Sequence, residues 1–499
     1  MTTLGIELSD TGLVTAACDT NEPHLQEVAD KAGSVEWPGF AFTDGTRMEF
    51  GRAAEDQWFV HPRRVVHNFW ERLSLEPSTL QVGAKAVPYS ELAFLFLREF
   101  TQRLAVATRP LEKLVLALPG AYLKDAAIEE EKIGLLLGMA SELELPLAGL
   151  LDRGAAALCD PRAGGFSHAM PVVVIDVALD GADFTLFSTE GRLSRRAFIQ
   201  IPQSGLAQLL KQLTGTMGNR FLRHTTFDIL EDGRIEQTFF RQTKEFLVSD
   251  AQEWRYQINT TTRGYEMLAK RAQLVSDAHG FVEPLVGNLR AFLQNAPDAA
   301  LPCTLAMTDR ALLVPGLESR LREERLGRIL HLPRGAAASG AACIGASRLE
   351  VARDLADVPV ETSVPLSDTK RLVSVEWDAR LHKPRSAESR PVPTHAILDG
   401  IGHAVQQAGR IRIGLPETGA ELELPPGFTP EGDCGLELAF QDGRLWFIDE
   451  CRSNNGHADA NGRHRTPVEA GDRLVIRCGG AMAEVLFAHC RSGAGMRLN

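Results

Sequence analysis

Strand-like and helix-like patterns of hydrophobic positions follow one another over residues 1–355. Two apolar runs, LGIELS (4–9) and LVTAAC (13–18), flank polar turn residues and predict two strands. The strongest strand signal is PVVVIDVALDGADFTLFS (171–188), which is broken at Asp180-Gly181, a pair typical of a hairpin turn. Longer mixed segments predict intervening helices, among them 91–107, 204–220, 234–248 and 260–296. This alternation favours an α/β domain.

The pattern changes after residue 355. Residues 356–394 are rich in proline, serine and charged residues and contain one short strand signal, RLVSVEW, which predicts a linker. From residue 395 to 499, short apolar segments recur between glycine and asparagine turns, which predicts a small all-β sandwich. We therefore expect an α/β domain over 1–355, a linker over 356–394 and a β-sandwich over 395–499.

Composition and charge exclude several classes of protein. The chain has 499 residues, 44% hydrophobic and 24% charged, which argues against a disordered or fibrous protein. At roughly 100–200 residues per domain, this length predicts about two to four domains. The net charge of −12 disfavours a nucleic-acid partner, since such proteins usually present a basic surface.

Membrane insertion, secretion and zinc binding are not expected from the sequence. No apolar stretch reaches the roughly 18 residues of a membrane span, and the N-terminus MTTLGIELSD lacks the features of a secretory signal. The eight cysteines form no CxxC pair, so we expect reduced thiols, no metal site and a cytoplasmic location.

Several segments, taken in order, resemble the ATPase domain of the 70-kDa heat-shock chaperones. They are PGFAFTDGTRMEFGRAAEDQWFVHPRRVVHNFWERL (38–73), VLALPGAYLKDAA (115–127), AGLLDRGAAALCD (148–160) and AASGAACIGAS (337–347), together with the two strand–turn–strand signals. The resemblance covers about 345 residues. It implies a two-lobed, actin-like ATPase fold of the ribonuclease-H-like type, which the family shares with actin and sugar kinases.

The two turns that hold ATP phosphates in that family have changed in this sequence. The family turns read D-L-G-T-T-N and D-L-G-G-G-T, whereas these read Glu7-Leu8-Ser9-Asp10-Thr11-Gly12 and Asp176-Val177-Ala178-Leu179-Asp180-Gly181. Such turns need glycine so that backbone N–H groups can approach phosphate closely. Asp10 and Asp180 would also repel phosphate, by about 1 kcal/mol at ~4 Å in bulk water and about 4 kcal/mol at an effective dielectric constant of 20.

Two other parts of the family's nucleotide site have also lost their characteristic residues in this sequence. The family's lysine falls near Trp70 and Glu71, and its adenosine-binding glycine pair falls near Asp309 and Arg310. We hypothesise that Asp309 and Arg310 form an ion pair that fills the adenosine space. The resemblance leaves a residual nucleotide site made of the residues that still match in type or position, namely Glu7, Thr11, Asp152, Asp176 and Gly340. No catalytic residue and no cofactor are predicted, and Mg-ATP is possible but disfavoured.

The C-terminal segments resemble a forkhead-associated (FHA) domain, an eleven-stranded sandwich that binds phosphothreonine peptides through its apical loops. The matching segments are RIRIG (410–414), LELPP (422–426), GLELAFQDGRLWFID (435–449), SNNGHADANG (453–462) and VEAGDRLVIRCG (468–479). The family's phosphate-binding arginine and serine are replaced here by Leu415 and by Asp433-Cys434. Arg or Lys donors are the usual ligands of phosphate, so phosphate recognition is weakened.

Three residues of this module could still bind a partner, namely Arg452, Asn454 and Asn455. For Asn455, ordinary turn chemistry is an equally good explanation.

Three functions remain open. The first is a non-catalytic, chaperone-like scaffold or adaptor, a pseudo-ATPase that binds protein partners within a larger assembly. The second is a nucleotide-binding ATPase or switch of the 70-kDa heat-shock chaperone family with unusual phosphate loops. The third is a phosphopeptide reader that uses the FHA-like module alone.

Overall fold

The chain divides into two units in a computed structural model. The first unit is Met1–Gly164 with Met170–Pro365, and the second is Gly165–Ala169 with Leu366–Asn499. The structure describes residues 2–19, 22–28, 34–107, 111–163, 171–189, 192–296, 303–324, 326–365, 374–377, 391–398, 401–405, 410–414, 420–424, 436–441, 443–449, 457–458, 464–478 and 481–489.

Strands and helices alternate along the first unit. Its strands are β1 (Thr3–Glu7), β2 (Gly12–Cys18), β3 (Pro23–Leu25), β4 (Glu36–Pro38), β5 (Ala41–Thr43), β6 (Met48–Phe50), β7 (Val65–Val66), β8 (Pro77–Val82), β9 (Lys85–Pro88), β10 (Lys113–Leu118), β11 (Leu147–Asp152), β12 (Val172–Val177), β13 (Gly181–Ser188), β14 (Arg192–Pro202), β15 (Glu253–Asn259), β16 (Gly264–Lys270), β17 (Cys303–Met307), β18 (Gly327–His331), β19 (Val360–Glu361) and β20 (Ser363–Pro365).

The α-helices of this unit are α1 (Arg52–Glu55), α2 (Tyr89–Ala107), α3 (Ala126–Glu142), α4 (Arg153–Leu158), α5 (Leu206–Thr225), α6 (Gly233–Val248), α7 (Arg271–Asn295), α8 (Asp309–Leu312), α9 (Leu317–Glu324) and α10 (Ala336–Arg348). Short 3-10 helices cover Pro62–Arg64, Gly120–Leu123, Ile229–Glu231 and Leu355–Asp357.

Two main sheets of the first unit repeat one topology. The first sheet has the order β19-β11-β10-β1-β2-β3, with β4 also paired to β2, and the second has the order β18-β17-β12-β13-β14-β20. In both sheets the first strand pairs antiparallel with its hairpin partner and parallel with a later strand, as β1 does with β2 and β10, and β12 does with β13 and β17. The central strands β1, β10 and β12 are buried along their whole length, which suits their nearly continuous apolar sequences.

The predicted hairpin turns are confirmed, and so are the predicted helices except for one. The hairpin at Asp180-Gly181 joins β12 to β13, and α2 contains the predicted helix at 91–107. The helix predicted over 260–296 begins only at Arg271, because residues 264–270 form β16 and pair with β15. The alternating burial of these two strands is the period-two signal that the helix interpretation missed.

Part of the segment predicted as a linker belongs to the sheets. Val360 pairs with Leu150 of β11, so β19 extends the first sheet, and Pro365 pairs with Arg192 of β14, so β20 extends the second. Further along, the strand Ser374–Trp377 of the second unit pairs with the strand Arg473–Cys478. The sheets of the first unit therefore continue about ten residues past the boundary that the change in composition suggested, to Pro365.

The described part of the second unit consists of eleven strands. They are β21 (Ser374–Trp377), β22 (His395–Leu398), β23 (Ile401–Ala404), β24 (Arg410–Gly414), β25 (Leu422–Glu423), β26 (Leu436–Gln441), β27 (Arg444–Asp449), β28 (His457–Ala458), β29 (His464–Val468), β30 (Arg473–Cys478) and β31 (Ala481–Ala488). They form two sheets, β21-β30-β31-β22-β23 and β25-β24-β26-β27-β29-β28. Buried side chains from both sheets, such as Ile413, Phe447, Ile476 and Phe487, belong to one hydrophobic cluster, so the sheets share a core.

Among the described helices, none is both long and apolar enough to cross a membrane.

Candidate functional site

The two turns that the sequence singles out lie at the ends of β1 and β12. Glu7 is the last residue of β1 and Asp176 lies near the end of β12, so each comes from a different main sheet. Both are buried, with 2% and 4% of their surface exposed. Buried carboxylates need partners, because an unpaired charge is costly to remove from water.

Arg310 bridges the two carboxylates. Its Nε atom donates a hydrogen bond to Oδ1 of Asp176 at 3.0 Å, and Nη2 donates to Oδ2 of Asp176 at 3.1 Å and to Oε1 of Glu7. Thr308 supports the same carboxylate, since its hydroxyl donates to Oδ1 of Asp176 at 2.8 Å while it caps α8 by accepting from the Ala311 N–H. One guanidinium thus joins a residue of the first sheet to a residue of the second.

A second arginine makes a parallel bridge. Nη2 of Arg153, the first residue of α4, lies 2.8 Å from Oδ2 of Asp176 and 2.9 Å from Oδ2 of Asp183. Arg153 follows β11 of the first sheet, whereas Asp176 and Asp183 belong to β12 and β13 of the second. The resulting buried network has three carboxylates, from Glu7, Asp176 and Asp183, and two guanidiniums.

The network affects the titration of its acids in opposite directions. Burial alone would raise the pKa of Asp176, but the two guanidiniums of Arg310 and Arg153 together hold that pKa well below its usual value. Burial raises the pKa of Asp183 to about 7, because Arg153 only partly offsets it. Burial also raises the pKa of the neighbouring Asp309 to about 6.

Little space is left beside this network. The cavity lined by Glu7, Arg153, Asp183 and Arg310 has a volume of about 20 Å³. A cavity needs about 10–15 Å³ to hold one water molecule, whereas small-molecule pockets measure about 300–1,000 Å³. Oδ1 of Asp183 is buried and has no hydrogen-bond partner among the described residues, and this cavity has room for a single water that could serve as one.

The charges of Asp309 and Arg310, hypothesised from the sequence to form an ion pair, interact, but Arg310 makes its close ion pairs with other acids. Arg310 pairs with Glu7 and Asp176, and no ion pair with Asp309 occurs among the described residues. The two acids are remote from Arg310 in sequence and lie on two different sheets, so only the tertiary structure brings them to it.

The predicted site residue Asp152 makes a third connection between the sheets. Its Oδ1 accepts from the Ala155 N–H at 3.1 Å and caps α4, and its Oδ2 accepts from Nη1 of Arg195 at 2.9 Å. Arg195 belongs to β14 of the second sheet and also donates to the Gly120 carbonyl at 2.9 Å. Asp152 is fully buried, so both oxygens are used in structural contacts.

The other two predicted residues stand apart from the network. Thr11 forms a local hydrogen bond in its turn, with its hydroxyl 2.7 Å from that of Ser9. Gly340 lies in α10 against α4, where an added Cβ would be 1.8 Å from the Ala156 carbonyl oxygen. Its position is therefore explained by close packing between two helices.

A second group of acids lies where the phosphate turns were predicted to repel nucleotide. Carboxylate oxygens of Asp10, Glu71 and Asp180 lie within 4.8 Å of one another, a spacing that could hold a cation. Asp10 accepts backbone N–H bonds from Trp70 at 3.0 Å and Glu71 at 3.1 Å. Burial, followed by the charges of Asp180 and Glu71, raises the pKa of Asp10 well above its usual value.

An open pocket adjoins these acids. It has a volume of about 300 Å³ and is lined by Glu71 and Asp180 together with His67, Arg72 and Lys211. His67 is held by Asp180, with Nδ1 3.1 Å from Oδ2. Burial, followed by the charge of Asp180, raises the pKa of Glu71, while the charge of Arg72 acts in the opposite direction.

Known proteins give no family assignment for this arrangement. No protein-family model matches the chain, and a search of curated proteins finds no significant match. The function of the chain is therefore inferred from the geometry of its first unit.

Sequence reasoning found Glu7, Asp152 and Asp176 but missed the third carboxylate of the network, Asp183, and most of its cations. Arg153 and Arg195 were not predicted. The sequence did contain a signal for Arg153, because it directly follows Asp152 and an arginine is unusual in the otherwise apolar helix RGAAAL. The residues predicted to bind a partner in the second unit, Arg452, Asn454 and Asn455, lie outside the described residues.

Proposed function

We propose that the first unit is a two-lobed, actin-like ATPase-fold domain that does not use ATP, and that the chain is a non-catalytic scaffold for protein partners. The observation that carries this proposal is the buried bridge from Glu7 through Arg310 to Asp176. In the proposed fold, these carboxylates belong to the two turns that face the nucleotide phosphates. Here they are neutralised by a side chain of the protein itself.

The repeated sheet topology supports the proposed two-lobed fold. A duplicated lobe predicts the same strand order and the same strand directions twice, and the five strands β11-β10-β1-β2-β3 and the five strands β18-β17-β12-β13-β14 have both. Glu7 and Asp176 lie near the ends of the corresponding first strands, which is the symmetry that the two turn motifs imply.

Charge and volume both oppose a bound triphosphate. The cavity at the network has room for about one water. In the open pocket nearby, the carboxylates of Glu71 and Asp180 would repel phosphate, although Arg72 and Lys211 also line it. A triphosphate would have to displace Arg310 or lie against carboxylates, and like charges near a protein surface repel by about 4 kcal/mol at 4 Å.

The three arginines supply what a ligand between two lobes would otherwise supply. Arg310, Arg153 and Arg195 each join groups from both main sheets through ion pairs. A domain whose lobes are joined in this way has no need of nucleotide to bring them together. A fixed two-lobed surface is suited to holding other proteins.

An FHA-like second unit would suit the same role. The described residues contribute eleven strands in two sheets around one core, which supports the proposed sandwich. Such a module would add a docking surface through its loops, where Arg452, Asn454 and Asn455 are the candidate contacts.

Calorimetry on the full chain tests the nucleotide part of the proposal. Mg²⁺ alone is titrated first, because Asp10, Glu71 and Asp180 could bind it. With Mg-ATP we then expect no additional binding stronger than about 1 mM, which corresponds to roughly −4 kcal/mol. A dissociation constant in the low micromolar range, about −8 kcal/mol, or steady ATP hydrolysis by the pure protein would support the ATPase alternative instead.

A phosphothreonine peptide array separates the adaptor from the phosphopeptide reader. We expect the full chain to bind no peptide in a phosphate-dependent way, because the arginine expected after Gly414 is replaced by Leu415. A phosphate-dependent hit that is lost in Asn455→Ala would favour the reader.

A further inference from the structure

Two cysteine thiols that are 325 positions apart face each other in the first unit. The Sγ atoms of Cys18 and Cys343 lie 3.3 Å apart. Cys18 is the last residue of β2, and Cys343 lies in the second half of α10. The contact therefore joins the start of the chain to the helix that follows the second sheet.

The surroundings of the pair are small and apolar. Cys18 belongs to a buried cluster with Val14, Ala16, Ala338 and Ala342, and Cys343 packs against it. The charged groups that act on Cys343 are Asp160 and Arg162, which form an ion pair with each other. A disulfide has an S–S distance of about 2.05 Å, so the two sulfurs must approach by only about 1.2 Å to bond.

The two thiols differ in accessibility. Cys18 is fully buried, whereas Cys343 is partly exposed. A small oxidant can therefore reach Cys343 first, and Cys18 is in place to react with the product.

We propose that Cys18 and Cys343 form a reversible disulfide when the protein meets hydrogen peroxide, and that this bond fixes α10 to the first sheet. The Cys343 thiolate attacks the peroxide, the O–O bond breaks, and Cys343 becomes a sulfenic acid while one water is released after protonation. The Cys18 sulfur then attacks the Cys343 sulfur, the S–O bond breaks, and a second water leaves. In total, two thiols and one peroxide give one disulfide and two waters.

The position of α10 gives this bond a structural consequence. The helix follows β18 of the second sheet through Leu332 and Pro333, which line the cavity beside Arg310. Its glycines and alanines lie directly on the first sheet, since a Cβ at Gly5 of β1 would be 2.1 Å from the Ala338 carbonyl oxygen. A disulfide at Cys343 would therefore restrain the segment that runs from β18 of the second sheet into α10 on the first sheet.

The reaction should be slow at neutral pH. Burial, together with the contact to Cys18, raises the pKa of Cys343 far above that of a free thiol. Only the thiolate attacks peroxide, so the rate of disulfide formation should rise with pH across the mildly alkaline range.

Peptide mapping of the native full chain tests the proposal. After peroxide treatment, alkylation and trypsin digestion, Cys18 is the only cysteine of peptide 1–31 and Cys343 is the only one of peptide 335–348. We expect these two peptides joined by a bond that dithiothreitol cleaves, and a melting transition of the oxidised protein raised by several degrees. Recovery of both peptides unlinked, or of Cys343 as a sulfinic acid without the cross-link, would overturn the proposal.

Three variants control the experiment. Cys18→Ala and Cys343→Ala should each abolish both the cross-link and the rise in melting temperature, and their small side chains suit the alanine-rich cluster. Cys159→Ala should leave both unchanged, because Cys159 has no thiol partner in the described part of the chain. If either alanine variant fails to fold, the cross-linked peptide in the wild-type protein still decides the question, and a cross-link that forms only after urea unfolding counts against it.

Discussion

At the residue scale, the stability of the buried network in the first unit depends on the ion pairs that its arginines form. Arg310 has three hydrogen bonds to Glu7 and Asp176 and is buried. Removing two opposite charges from water is costly, and their attraction offsets this cost only when the geometry is good. The network is thus best regarded as an arrangement that fixes two sheets against each other, and losing one member leaves the others unpaired.

Replacement of Arg310 by alanine should strongly destabilise the first unit. Arg310→Ala leaves Glu7 and Asp176 buried with one partner fewer, and breaking such a pair costs about 3–5 kcal/mol. The measurement is the free energy of unfolding of the full chain in urea. The matched control is Arg255→Ala, whose pair with Glu266 is 63% exposed on both sides and should cost less than about 1 kcal/mol. Equal losses in the two variants would contradict the assigned role of Arg310.

The raised pKa of Asp183 predicts a pH-dependent stability. Its folded pKa of about 7 lies above the ordinary value of 3.8, so between these values the folded state holds more protons than the unfolded state. The contribution of Asp183 to stability is therefore present below pH ~4 and is lost as the pH rises towards 7.

Comparison with Asp183→Asn isolates this titration. The difference in unfolding free energy between the wild type and the variant should shrink by a few kcal/mol from about pH 4 to pH 7 and stay constant above. Urea titrations at several pH values measure it, and Glu266→Gln in the exposed pair with Arg255 serves as the control. A difference that does not change with pH would mean that Asp183 is ionised throughout.

At the scale of secondary-structure elements, α10 decides how closely the helices can approach the first sheet. The helix is built almost entirely of small residues, AAASGAACIGASR, and it packs against β1, β2 and α4. Backbones that come this close leave no room for a Cβ at Gly340. The run of small residues resembles a nucleotide-binding feature in sequence, but a stripe of small residues serves helix packing equally well.

Gly340→Ala should destabilise the protein, although alanine is the better helix former. The new Cβ would overlap the Ala156 carbonyl oxygen, and overpacking typically costs about 1–3 kcal/mol. Gly134→Ala in α3 is the matched control, because nothing lies within 4 Å of its added Cβ. That variant should gain about 0.5–1 kcal/mol. Chemical denaturation measures both, and a stabilising Gly340→Ala would contradict the packing described for α10.

At the scale of the whole molecule, the end of the first unit is set by strand pairing and not by composition. The segment from 356 to 365 looks like the start of a linker, yet β19 and β20 add an edge strand to each main sheet. Short edge strands carry little sequence signal of their own, since their partners are residues about 170–210 positions earlier in the chain.

Two truncated fragments test this boundary. A fragment of residues 1–365 should unfold cooperatively, because it contains the whole first unit, whereas residues 1–355 should unfold at a lower urea concentration or aggregate. The shorter fragment exposes the edges of β11 and β14, which β19 and β20 cover. Equal midpoints for the two fragments would show that the edge strands contribute nothing.

The sequence by itself determined the local features of this protein. Period-two and continuous apolar runs specified β1, β2, β12 and β13, and Asp180-Gly181 specified the hairpin between β12 and β13. These features could be predicted because each depends only on residues that are neighbours in sequence. Only the tertiary structure decided the site. Glu7, Arg153, Asp176, Asp183 and Arg310 come from five separate elements, and an ion pair depends on distances in space that no local pattern contains. The same holds for Cys18 and Cys343, whose contact exists only because α10 returns to the first sheet.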